Sequence, residues 1–175
     1  MLAPILIIAI GNESRGDDAI APLLLRRLEA EGYAEKVELL EDFQLQVEHA
    51  ADMAGRELLL FIDAGMNTPA PYSFYRAHPD NNRTLFSHAL TPEAVLSTYR
   101  QIYRQAPPPA FVLCLRGEQF ELGNSLSPEA ATRLELALIF LRELLQKTEL
   151  AAWETARFSG NPAPDNGRAI HTKEK

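Results

Sequence analysis

The sequence predicts an α/β fold around a five-stranded, mostly parallel mixed sheet. Two observations carry that expectation. Apolar, strand-like runs alternate with segments of helical periodicity as far as Asp63, in the order β-α-β-α-β, which implies parallel strands joined by right-handed crossovers. After Asp63 the rhythm changes. The turn-rich bridge 67–71 is too short for a crossover helix, so the strand expected at 72–76 runs antiparallel to the third and the sheet is mixed.

The elements follow in order. The apolar run 5–10 stops at Gly11-Asn12, and a polar loop leads through Gly16-Asp17-Asp18 into a helix carrying Leu23, Leu24 and Leu28. Pro22 suits the first helical turn and Gly32 its C-terminal stop. A second strand is expected at 36–40, with residues 41–46 as the loop after it, and helical periodicity at 47–53. The third strand, 57–63, ends in Asp63-Ala64-Gly65. Thr91-Pro92-Glu93 is a helix start, with Thr as N-cap and Pro at the first helical position. That helix runs to about Gln105 and turns Val95, Leu96, Tyr99, Ile102 and Tyr103 to one face. Pro107-Pro108-Pro109 stops it, and 111–115 is the fifth strand. Ser127-Pro128-Glu129 repeats the N-cap pattern and opens a helix to about Gln146, with Leu134, Ala137, Leu138, Leu141 and Leu145 as its buried stripe. Residues 1–150 read as one domain. Residues 151–175, polar and turn-rich from Gly160 onward, read as a mobile tail.

The composition bounds the function. A chain of 175 residues with 46% apolar residues suits one domain of ordinary size. A net charge of −7 argues against nucleic acid or an anionic membrane as partner, and no apolar run is long enough to span a bilayer. The N-terminus shows no basic region or cleavage signature. The single cysteine, Cys114, falls within a strand and reads as a buried core thiol. The expected setting is cytoplasmic.

The chemistry gathers at the first loop. In a parallel sheet that loop lies at the carboxyl edge, where ligands bind, and it carries two adjacent carboxylates. Either Asp17 or Asp18 can serve as N-cap of the first helix, at the positive end of its dipole. That accounts for one acid and leaves Asp18 to face the crevice. A phosphate loop fits poorly: Gly11 and Gly16 lack both the middle glycine of a dinucleotide fingerprint and the Lys-Ser/Thr of a P-loop, and the acids sit where a phosphate would. Asp63 follows the third strand and His88 precedes a helix. Two carboxylates and an imidazole suit a borderline divalent ion such as nickel or zinc, although Asp63 also fits a β-turn and His88 a polar residue at a helix start. His49 and His78 read as surface residues and His171 as an unlikely ligand. No Ser-His-Asp set is visible.

Three motifs in this order, Gly11-Asn12-x-x-x-Gly16-Asp17-Asp18, Ile62-Asp63-Ala64 and Ser87-His88-x-Leu90, resemble the maturation endopeptidases of [NiFe] hydrogenases over residues 5–148. The resemblance implies a three-layer α/β/α sandwich and removal of a C-terminal extension from the hydrogenase large-subunit precursor. It implies Asp18, Asp63 and His88 as metal contacts, with Asp18 and Asp63 as the catalytic candidates. The nickel belongs to the substrate, and other divalent ions are expected to substitute at the site. Two positions depart from the family pattern. Residues 41–46 (EDFQLQ) replace a glycine-rich Asp-Gly-Gly stretch, which makes Gln44 and Gln46 candidates for contact with a different precursor tail, and Ala21 stands where Gly is common. The alternatives are a docking checkpoint that binds the loaded precursor without cutting it, and a small metal-dependent hydrolase.

Overall fold

The computed structural model describes residues 1–33, 35–81 and 90–160, without the side chains of 157–160. Strands β1 (Ile5–Ile10), β2 (Val37–Asp42), β3 (Leu58–Gly65), β4 (Tyr72–Ala77) and β5 (Ala110–Arg116) form one sheet in the order β2-β1-β3-β5-β4. All neighbours are parallel except β4 with β5. Strand β4 therefore runs against β3, as the short bridge requires, but β5 lies between them. The chain leaves β3, passes to the far edge as β4, and returns through α3 (Pro92–Tyr103) to fill the gap.

Side-chain alternation divides the sheet into two faces. Ile5, Ile7, Leu58, Leu60, Ile62, Phe111 and Leu113 pack beneath α1 (Ile20–Ala30), α4 (Pro128–Leu145) and α5 (Leu150–Gly160). Leu6, Ile8, Leu59, Phe61, Val112 and Cys114 pack against α3 and the single turn α2 (His49–Asp52). This is the three-layer sandwich. Both expected caps form: the Thr91 and Ser127 hydroxyls accept from the Ala94 and Ala130 N–H groups, each at 3.1 Å. Pro22 lies in the first turn of α1, Gly32 follows its end at φ 79°, and the α4 stripe is buried as its spacing requires.

Several expectations need correction. The tail does not begin at residue 151. Leu150–Gly160 is helical, and Trp153 is fully buried, 5.4 Å from the Phe111 ring and donating its indole N–H to the Lys147 carbonyl at 2.7 Å. A polar sequence hid one large apolar anchor. Residues 161–175, His171 among them, lie outside the described residues, as do 82–89 with Ser87 and His88. Strand β2 runs on to Asp42, because its pairing with β1 persists to Ile10 opposite Asp42. The helix expected at 47–53 is one turn, since the short crossover from β2 to β3 has room for little more. Ile102 and Tyr103 are exposed because the last turn of α3 overhangs the core. Among the described residues no helix is long and apolar enough to cross a membrane.

Candidate active site

Four loops leave the carboxyl ends of the parallel strands β1, β2, β3 and β5, and the first holds the acid pair. After β1 the chain turns at Gly11 and forms a single 3-10 turn, Gly16–Ala19, before α1 begins. Neither acid caps α1. Its N-cap is Ala19, which makes no side-chain cap. The turn packs on the end of β1 so closely that a Cβ at Gly11 would overlap the Asp18 carbonyl oxygen. It also packs against β3.

Asp17 and Asp18 serve different neighbours. Asp17 is fully buried and accepts four hydrogen bonds: from the N–H groups of Glu118 (2.7 Å), Gln119 (3.2 Å) and Ser127 (2.7 Å), and from the Ser127 hydroxyl (2.8 Å). Ser127 is the N-cap of α4. The carboxylate thus sits at the positive end of a helix dipole, as the sequence suggests, but of α4 and not α1. Burial pushes its carboxyl up, and the donated bonds from Glu118, Ser127 and Gln119 outweigh that and hold it below its ordinary value.

Asp18 is 3% exposed and points back to the end of β1, where its Oδ2 accepts from the Asn12 N–H at 2.9 Å. Asp63 is 4% exposed near the end of β3, and its Oδ1 accepts from the Ala64 N–H at 2.8 Å. Strand alternation turns Asp63 toward the α2/α3 side, since Phe61 packs there and Ile62 packs opposite. That is the side on which α3 packs, and His88 lies outside the described residues. Among the described residues no group of three or more His, Cys, Asp and Glu side chains is placed to hold a metal ion.

Other groups at this edge escape sequence reasoning. His49 is not a surface residue. It is 7% exposed, its Nδ1 accepts from the Gln46 N–H at 2.9 Å, and its Nε2 lies 3.3 Å from Asp42 Oδ2. Both ring nitrogens are engaged, so His49 fastens the loop after β2. His78 is exposed, as expected. Tyr75, on β4, is 8% exposed, and its phenol is held well above its ordinary value by burial first, then by Glu93, Cys114 and Asp63. It stays a proton donor on the side that Asp63 faces. The alternation in 72–76 was the one available signal for its inward direction. Cys114 is fully buried in mid-strand and pairs in register with Asp63.

No protein-family model and no curated protein matches the chain. Solved structures do. The hydrogenase maturating endopeptidase HybD from E. coli superposes with a TM-score of 0.63 at 26% identity, over 81% of this chain and 91% of that one. A solution structure of an endopeptidase from Escherichia coli gives a TM-score of 0.62 at 26% identity, over 81% and 91% of the two chains. The [NiFe] hydrogenase maturation protease HycI from Thermococcus kodakarensis shares the fold, with a TM-score of 0.64 at 22% identity over 83% and 94%. With a buried acid pair after its first strand and a buried Asp near the end of its third, this chain is similar in fold, over four-fifths of its length, to the hydrogenase maturation endopeptidases.

Proposed function

We propose that the protein is an endopeptidase of hydrogenase maturation that acts in the cytoplasm on a [NiFe] hydrogenase large-subunit precursor and removes its C-terminal extension once nickel is in place. The observation that carries this reading is the convergence of two buried carboxylates, Asp18 and Asp63, at one sheet edge, with the turn bearing Asp18 packed against the strand bearing Asp63. Burial strengthens what such groups do to a nearby cation, because little water screens them.

On this reading the nickel arrives with the substrate. Asp18, Asp63 and His88 supply two carboxylates and an imidazole, a donor set suited to that ion. Three ligands leave coordination positions to the precursor, so the ion sits between enzyme and substrate and only a loaded precursor is gripped. Water is the nucleophile that the described residues leave room for. Cys114 is sealed in the sheet, and His49 has no free ring nitrogen to activate a hydroxyl. The bound ion polarises the scissile carbonyl or a water, or it anchors the chain while a carboxylate such as Asp18 takes the proton.

Intact-mass spectrometry of nickel-loaded and nickel-free precursor, each incubated with the protein, tests this. Loss of one defined C-terminal peptide from the loaded form alone is the expected result. Asp18→Ala and His88→Ala should each abolish it with circular dichroism unchanged, and full activity in both variants would remove the assigned site. Co-elution without any mass change would make the protein a docking checkpoint instead.

A further inference from the structure

The tandem acids divide one task. Asp18 contacts the end of β1, whereas the four hydrogen bonds to the Asp17 carboxylate come from about a hundred residues away, in the segment between β5 and α4. The same two segments also exchange backbone bonds. Gly16 N–H donates to the Asn124 carbonyl at 3.0 Å, Asp17 N–H to that of Gln119 at 2.8 Å, and Gly123 N–H to that of Ser14 at 2.7 Å. Gly16 is at φ 56°, and a Cβ there would overlap the Gln119 carbonyl oxygen, so no side chain separates the two segments at that point. The far segment is itself held to α4, where Arg133 bonds both the Arg116 carbonyl (3.0 Å) and the Glu118 carboxylate (2.8 Å).

We infer that Asp17 is a positioning residue for Asp18: it welds the Gly16–Ala19 turn to residues 117–127 and to the start of α4, and so fixes the direction in which the Asp18 carboxylate points. The two residues are adjacent in a single turn, so a turn that rocks about the Asp17 anchor swings Asp18 away from Asn12. The inference rests on the reading of Asp18 as a reacting or ion-binding group, and Ser127 is part of the device because its hydroxyl both caps α4 and donates to Asp17.

The test uses the full chain with Asp17→Asn, which keeps the shape and removes the charge, and Ser127→Ala as a milder second variant. The first readout is exchange of the Asn12 amide, whose N–H donates to Asp18, compared with a core amide such as Leu60. The second is cleavage of nickel-loaded precursor, resolved into kcat and KM. In Asp17→Asn, Asn12 exchange should rise about tenfold beyond any change at Leu60. The kcat should fall by about a hundredfold while KM stays within about twofold. Ser127→Ala should move both readouts in the same direction and less far. Asn12 exchange that merely tracks Leu60 in both variants would reduce Asp17 to a support for α4 and overturn the inference. If the wild-type chain cuts no precursor, the function proposed above fails, and the Asn12 result alone still decides for or against the positioning role.

Discussion

Residues 43–48 and 117–127 each follow a parallel strand and border the same edge of the sheet, yet they are held by different means. The 117–127 segment closes around a fully buried carboxylate with four donors, and three backbone bonds tie it to the loop after β1. The 43–48 loop is held by separate contacts: the Gln46 N–H donates to His49 Nδ1, the Phe43 N–H to Asp42 Oδ1, with the partly solvated Asp42 on the far side of the ring, and Leu45 is buried. Phe43 and Val47 are 69% and 48% exposed there. A buried charge whose partners are all satisfied cannot be loosened piecemeal, because each lost donor leaves a desolvated group behind. Separate hydrogen bonds that share no fully buried charge can be lost one at a time, each at a smaller cost. The chemistry of the proposed site is thus set on the rigid side, and the loop that departs most from the family pattern is on the yielding side.

The largest test of this contrast is Asp17→Ala. It strands three N–H groups and a hydroxyl, and about 3–5 kcal/mol of stability should be lost, read as a lower denaturant midpoint at unchanged slope. A loss under about 1 kcal/mol would mean that the two loops are held alike.

Acid should act at the same place. The carboxyl of Asp17 is depressed in the folded protein, so its contribution is fully present above the unfolded value of about 4 and disappears as pH falls through the lower folded value. The gap in stability between wild type and Asp17→Asn should therefore be constant near neutrality and narrow below about pH 4. A gap that widens in acid would contradict the charge as its source.

His49→Ala comes next. It removes one partner from the Gln46 N–H and should cost about 1–2 kcal/mol, with faster amide exchange confined to residues 43–48 and kcat preserved. A loss as large as that of Asp17→Ala would erase the distinction between the loops. Smallest of all, Arg27→Ala breaks an exposed pair with Glu135 across α1 and α4 and should leave the denaturant midpoint almost unchanged, with any small shift vanishing in salt.

Much of this was legible in the chain. Short apolar runs located most of the strands and period-3.6 patterns the main helices, and Thr91-Pro92 and Ser127-Pro128 marked two helix starts to the residue. What escaped depends on partners remote in sequence. Nothing near Asp17 states that its donors are Glu118, Gln119 and Ser127, so the choice between two adjacent acids was open and the expected helix was the wrong one. His49 looked like a surface residue because a histidine in a polar stretch carries no periodicity, and its contact with Asp42 follows only from the fold of a short loop. Helix α5 was missed because Trp153 alone supplies most of its apolar anchor. Of the three proposed metal contacts, Asp18 and Asp63 have a described geometry at one edge of the sheet, and His88 lies outside the described residues.

That tryptophan has a use of its own. It is the only one in the chain, it is fully buried, and it packs beside Phe74 and Phe111 on the face of the sheet away from the side that Asp63 faces. The protein therefore carries a single intrinsic fluorophore in a dry environment. Its emission should be blue-shifted in the native state, move to the red when α5 detaches or the core opens, and stay still when Asp18 or Asp63 is replaced. Every variant of the site comes with an optical control, in the same cuvette, that separates lost chemistry from lost structure.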